Sequence, residues 1–90
     1  MFRLLYHREV VEDDLPRIPR NIRSRIAAAI VSRLTEAPER FGSPLRGTLR
    51  GYWKLRVGDY RVVYRVAAEE VWILAIRHRR TVYSDAEPRT

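Results

Sequence analysis

Lys54, Arg56, Arg61, Arg65, Arg79 and Arg80 fall in one half of the chain, interleaved with Tyr52, His78 and Tyr83. Between Arg40 and Arg80 there are ten basic and three acidic residues, so this stretch carries the whole formal net charge of +7. Seventeen of the eighteen cations are arginine and Lys54 is the one lysine. A planar guanidinium fork meets two phosphate oxygens at once, which an ammonium cannot do, so a phosphate-rich partner is expected. Codon bias would enrich arginine everywhere but would not by itself concentrate the excess of positive over negative charge in one half. There is no cysteine and there are two histidines. Thiol nucleophiles, disulfides and thiolate metal sites are therefore excluded, and no metal or cofactor is expected. His7 has no convergent neighbours and takes no assignment.

These residues need a scaffold, and 90 residues with 46% hydrophobic side chains suffice for a single domain spanning 1–90. No apolar run reaches the roughly 20 residues of a membrane span and no signal-peptide pattern opens the chain, so a soluble, cytoplasmic protein is expected. Phe2 to His7 suits a short strand. A short helix begins near Glu9 and must weaken before Pro19. Ile22, Ile26, Ile30 and Leu34 then recur every four residues, which predicts an amphipathic helix over 19–36. Pro38, Gly42, Pro44 and Gly47 mark a loop. Residues 52–57, 60–66 and 71–77 read as antiparallel strands, and the polar segment 84–90 is expected to fray.

If Gly58-Asp59 is a two-residue turn, Val57 opposes Tyr60 and the register follows. Trp53, Leu55, Val57, Tyr60, Val62 and Tyr64 then share one face, the core face. The other face gathers Arg56 opposite Arg61, Lys54 opposite Val63, and Tyr52 opposite Arg65. Continuing through a four-residue turn at 67–70 places Ile76 and His78 on the face of Arg61. Trp53 and Trp72 read as structural, with Trp72 covering the helix-free face or meeting a partner.

Leu45-Arg46-Gly47, Lys54-Leu55-Arg56, Gly58-Asp59-Tyr60-Arg61-Val62-Val63-Tyr64 and Ile76 to Tyr83 together resemble RelE-type toxins of the RelE/ParE superfamily. The resemblance implies an α+β fold of order β-α-α-β-β-β, a small twisted antiparallel sheet with two N-terminal helices packed on one face. It also implies a toxin of a toxin-antitoxin system: an mRNA interferase acting in the ribosomal decoding site and silenced by a RelB-like antitoxin. Operator DNA would be bound only through the antitoxin complex. By position, Lys54 matches a catalytic lysine, Arg61 the arginine that holds the scissile phosphate, Arg79 or Arg80 the cation near the leaving group, and Tyr83 the catalytic tyrosine. Tyr52 stands where some members carry another lysine; with Arg56, Arg65 and His78 it is expected to contact RNA.

The chemistry is consistent with that assignment. RNA carries its own nucleophile, the 2′-hydroxyl, so cleavage needs a base, cations for the charge growing on phosphate, and an acid for the 5′-oxygen. Free tyrosine and lysine titrate near about 10, and a dense positive field is what would make either usable as a base. Two rivals remain: a ParE-type toxin that binds gyrase, against which Tyr83 argues, and a non-catalytic nucleic-acid-binding module in which the rings stack on bases.

Overall fold

The computed structural model describes residues 1–90. Strand β1 (Arg3–Tyr6) leads into α1, made of a wide π-helical Val10–Asp14 and the α-helical Leu15–Arg17. Ile18 is pushed into extended backbone by the proline after it, which ends α1. Helix α2 runs over Arg20–Ala29 and widens into π-helical Ile30–Leu34, matching the expected apolar spacing. The loop anticipated from the prolines and glycines holds a helical turn, α3 (Pro38–Phe41), and a two-residue strand, β2 (Ser43–Pro44). β3 (Trp53–Val57), β4 (Tyr60–Ala67) and β5 (Glu70–His78) follow. No helix is long and apolar enough to cross a membrane.

The five strands lie in the order β1-β5-β4-β3-β2. β1 joins β5 in parallel and the other pairs are antiparallel, so the expected α+β layout holds with one parallel edge strand. α1 and α2 cover one face: Val10, Ile26, Ile30 and Leu34 pack there against Leu55, Val62, Tyr64, Val71, Ile73 and Ile76.

The hairpin register is as derived, with Val57 opposite Tyr60, Arg56 opposite Arg61 and Lys54 opposite Val63. The extension to β5 is not. A bulge between Val63 and Tyr64 shifts the pairing, so Arg61 faces Arg77, Val62 faces Ile76 and Tyr60 faces His78. An extra residue in one strand reverses which side chains face which way beyond it. Leu74 and Ala75 both go to the second face, and Ile76 is buried on the helix-covered one.

That second face is not helix-free. Helix α4 (Val82–Ala86) lies on it, burying Val82 and Ala86 against Leu49, Val63, Leu74 and Ala75. Residues 84–90 do not fray: α4 continues into a turn at Glu87–Arg89, and the Arg89 side chain is 4% exposed. A buried ion pair, absent from any local pattern, holds that segment down.

Candidate active site on the basic face of the sheet

Alternation along β3 and β4 turns Lys54, Arg56, Arg61 and Arg65 away from α1 and α2. Across β3, β4 and β5 the pairings Arg56–Arg61 and Arg61–Arg77 make a row of three arginines in register. Like charges directly opposite repel. Arg77 is relieved by carboxylates: its Nη1 donates to Asp13 at 3.0 Å and to Asp14 at 3.1 Å, and its Nε donates to Asp85 at 2.9 Å. Arg61 is relieved only by backbone dipoles, since its Nη1 donates to the carbonyls of Gly58 and Tyr60, both at 2.9 Å. Lys54, Arg56, Arg61, Arg65 and Arg80 form no ion pair.

α4 carries Tyr83 to this face. The Lys54 ammonium stands 5.9 Å from the centre of the Tyr83 ring. Tyr52 and Tyr83 are both half-buried and pack against the second apolar cluster, so each ring is held at its base with an edge toward solvent. A lysine set against a tyrosine ring, beside cations without counter-charges, has the chemistry suited to holding phosphate and moving protons.

The remaining expected site residues are spread around it. Arg79 follows β5 and bonds the hairpin turn, its N–H donating to the Asp59 carbonyl at 2.8 Å, while its Nε is 3.9 Å from the Asp59 carboxylate. Arg80 is exposed in the turn that follows β5, and its N–H donates to His78 Nδ1 at 3.2 Å. His78 therefore does not join Arg61: it stands edge-on to Tyr60, with ring centres 5.8 Å apart, on the other side of β5. Arg65 lies toward the far end of β4, its guanidinium 5.8 Å from the Trp72 ring.

One cluster escaped the sequence reading. Asp14 is fully buried and accepts hydrogen bonds from the Ile76 N–H, from Arg77 and from both Nη atoms of Arg89. Arg89 also donates to the Leu74 carbonyl at 3.1 Å. β1 reaches only to Ile73, so Asp14 and Arg89 stand where a neighbouring strand would satisfy the β5 edge. The hydrogen bond from Arg77 holds the Asp85 carboxyl below its usual range, and bonding to Asp14 holds the Arg89 guanidinium more firmly protonated. Asp13-Asp14 ahead of Pro16 was the one available signal, and nothing near Arg89 marks its partner.

Residues 4–83 match the family described as the ParE toxin of type II toxin-antitoxin systems. Toxin RelG of Mycobacterium tuberculosis (strain ATCC 25618 / H37Rv) is 36% identical over 72 residues, 78% of this chain and 83% of RelG. Toxin RelE of the same strain is 38% identical over 72 residues, 78% of this chain and 74% of that toxin. A chain in the crystal structure of the M. tuberculosis toxin-antitoxin complex RelBE2 matches with a TM-score of 0.79 at 30% identity, covering 87% of this chain and 98% of that one.

Proposed function

The chain belongs to the RelE/ParE superfamily of toxins of type II toxin-antitoxin systems, and from that premise we propose that it is a ribosome-dependent endoribonuclease that cuts mRNA in the decoding site. The observation that carries this reading is the juxtaposition of Lys54 and Tyr83, beside Arg56 and Arg61, which no carboxylate neutralises. The kinship with toxins named RelE and RelG supports it.

In the proposed reaction the mRNA 2′-hydroxyl loses its proton and attacks the adjacent phosphorus. The O2′–P bond forms as the P–O5′ bond breaks, leaving a 2′,3′-cyclic phosphate and a 5′-hydroxyl that takes up a proton. Tyr83 and Lys54 are the proton-transfer groups. Arg61, with Arg56 beside it, stabilises the charge on the phosphoryl oxygens, and Arg79 or Arg80 approaches the leaving side. Tyr52 and Arg65 extend the contact along the RNA by stacking and charge. His78, turned to the other side of β5 against Tyr60, takes no part in this step.

A surface this open orients a flexible strand poorly. The ribosome supplies that orientation, which is why cleavage is assigned to the decoding site. The reaction therefore takes place in the cytoplasm. The silencing partner is a RelB-like antitoxin presenting acidic and apolar side chains to a +7 domain; the similarity to a toxin solved as a toxin-antitoxin complex supports that assignment. Operator DNA is bound through that complex.

Mapping cleavage of mRNA on programmed ribosomes tests the proposal, with 2′,3′-cyclic phosphate ends as the expected result. The family match also carries the ParE name, so gyrase inhibition is assayed in parallel. Intact mRNA with inhibited gyrase would transfer the chain to the ParE-type reading, and binding without either effect would leave a non-catalytic module.

A further inference from the structure

α4 is five residues long, too short to persist as a helix unaided, yet it is the element that presents Tyr83. Its apolar side is modest, consisting of Val82 and Ala86. Its polar ties reach across the molecule. Asp85, within α4, accepts from Arg77 of β5, and Arg77 also donates to Asp13 and Asp14 of α1. Just beyond α4, Arg89 grips the two oxygens of Asp14 at 2.7 and 2.9 Å. Residues 14, 77, 85 and 89 thus form a ring around the β5 edge, closed on its last side by the backbone from Asp85 to Arg89, and join the helix on one face to the helix on the other.

Burying such a ring is an inefficient route to stability, because apolar side chains of similar volume commonly do as well or better. What charge-assisted, forked hydrogen bonds provide is a fixed geometry. We propose that Asp14, Arg77, Asp85 and Arg89 are positioning residues for Tyr83: they latch α4 in the one placement that sets the phenol beside Lys54. This rests on the reading of Tyr83 as a proton-transfer group, and extends that site to a carboxylate on the opposite side of the sheet.

The test uses the full chain carrying Arg89→Gln or Asp85→Asn, each alone and combined with Tyr83→Phe. Amide hydrogen exchange over 82–86 is expected to quicken by about tenfold or more while β4 and β5 keep their rates. Cleavage on programmed ribosomes is expected to fall roughly ten- to a hundredfold in the otherwise unaltered chain and no further in the Tyr83→Phe background, the signature of two changes acting through one group. Unchanged exchange in α4, or an equal loss of cleavage in both backgrounds, overturns the proposal. Should Arg89→Gln fail to fold, Asp85→Asn, at the more exposed end of the ring, decides the matter. If Tyr83→Phe alone cleaves like the parent, the tyrosine's role falls and the positioning role with it, whereas exchange still reports whether the latch exists.

Discussion

A Cβ atom placed on Gly42 would lie 1.8 Å from the hydroxyl oxygen of Tyr64 and 2.9 Å from its Cζ. The chain between α3 and β2 can cross the buried Tyr64 ring only because that position has no side chain. The Tyr64 hydroxyl donates to the Pro38 carbonyl at 2.6 Å, tying the start of α3 to the middle of β4. The same imagined Cβ would sit 3.0 Å from the Lys54 carbonyl, so the crossing also presses on the strand that carries Lys54.

Gly42→Ala should therefore destabilise the fold by about 1–3 kcal/mol, the usual cost of overpacking a filled core. Thermal unfolding measures it directly. Adding Tyr64→Phe should recover part of the loss, since it removes the oxygen but leaves the ring. An unaltered melting temperature for Gly42→Ala would show that the crossing can shift freely.

Arg61→Ala and Tyr83→Phe should each lower cleavage by about 10²–10⁴ and relieve growth arrest, the range typical of losing one charge stabiliser or proton-transfer group. Both residues are only half-buried, and unfolding should be little changed. Lys54→Ala should behave similarly, whereas Tyr52→Ala should mainly weaken RNA binding. Antitoxin binding, followed by co-purification, should survive all four changes.

Asp14→Ala leaves the buried Arg89 with only the exposed Glu9 carboxylate, 3.1 Å from its Nε, and leaves the Ile76 N–H without an acceptor. A loss of about 3–5 kcal/mol is expected, as when one member of a buried ion pair is removed. Urea unfolding with an unchanged slope would report it as a loss of stability; a cost below about 1 kcal/mol would mean that water replaces the carboxylate.

Acid should weaken the protein through Asp85. The hydrogen bond and charge of Arg77, helped by Thr81 and Arg89, hold its carboxyl below the usual range despite partial burial. The folded state therefore binds this proton less readily than the unfolded state. The stability it contributes is complete above the unfolded value near about 3.9 and disappears as pH falls through the lowered folded value. Denaturation between pH 6 and pH 2 should show Asp85→Asn with a shallower acid dependence than the parent.

The parts legible in sequence are those with short-range rules. Ile22, Ile26, Ile30 and Leu34 gave α2 its face, and Gly58, with φ +58° in the turn, fixed the hairpin parity that places Lys54 and Arg61 together. The bulge could not be read, because Val71 to Ile76 is apolar throughout and has no alternation to betray a slip. Asp14 and Arg89 are 75 positions apart, beyond any local pattern. α4 was hidden for a related reason: its polar residues are those of a tail, and only the distant carboxylates make it a fixed element.

The parallel pairing of β1 with β5 sets an order of assembly. The ribosome makes Arg3–Tyr6 first, but their partners, Glu70–Ile73, come near the end of the chain. At about 5–20 residues per second, the first strand waits several seconds for its neighbour. Through that interval α2 is made before the strands that cover its isoleucines, and β4 is completed only just ahead of β5. Closure then requires a long-range encounter, the slow kind of step in folding. A newly made chain thus passes through a period in which it has neither a closed sheet nor an assembled basic face.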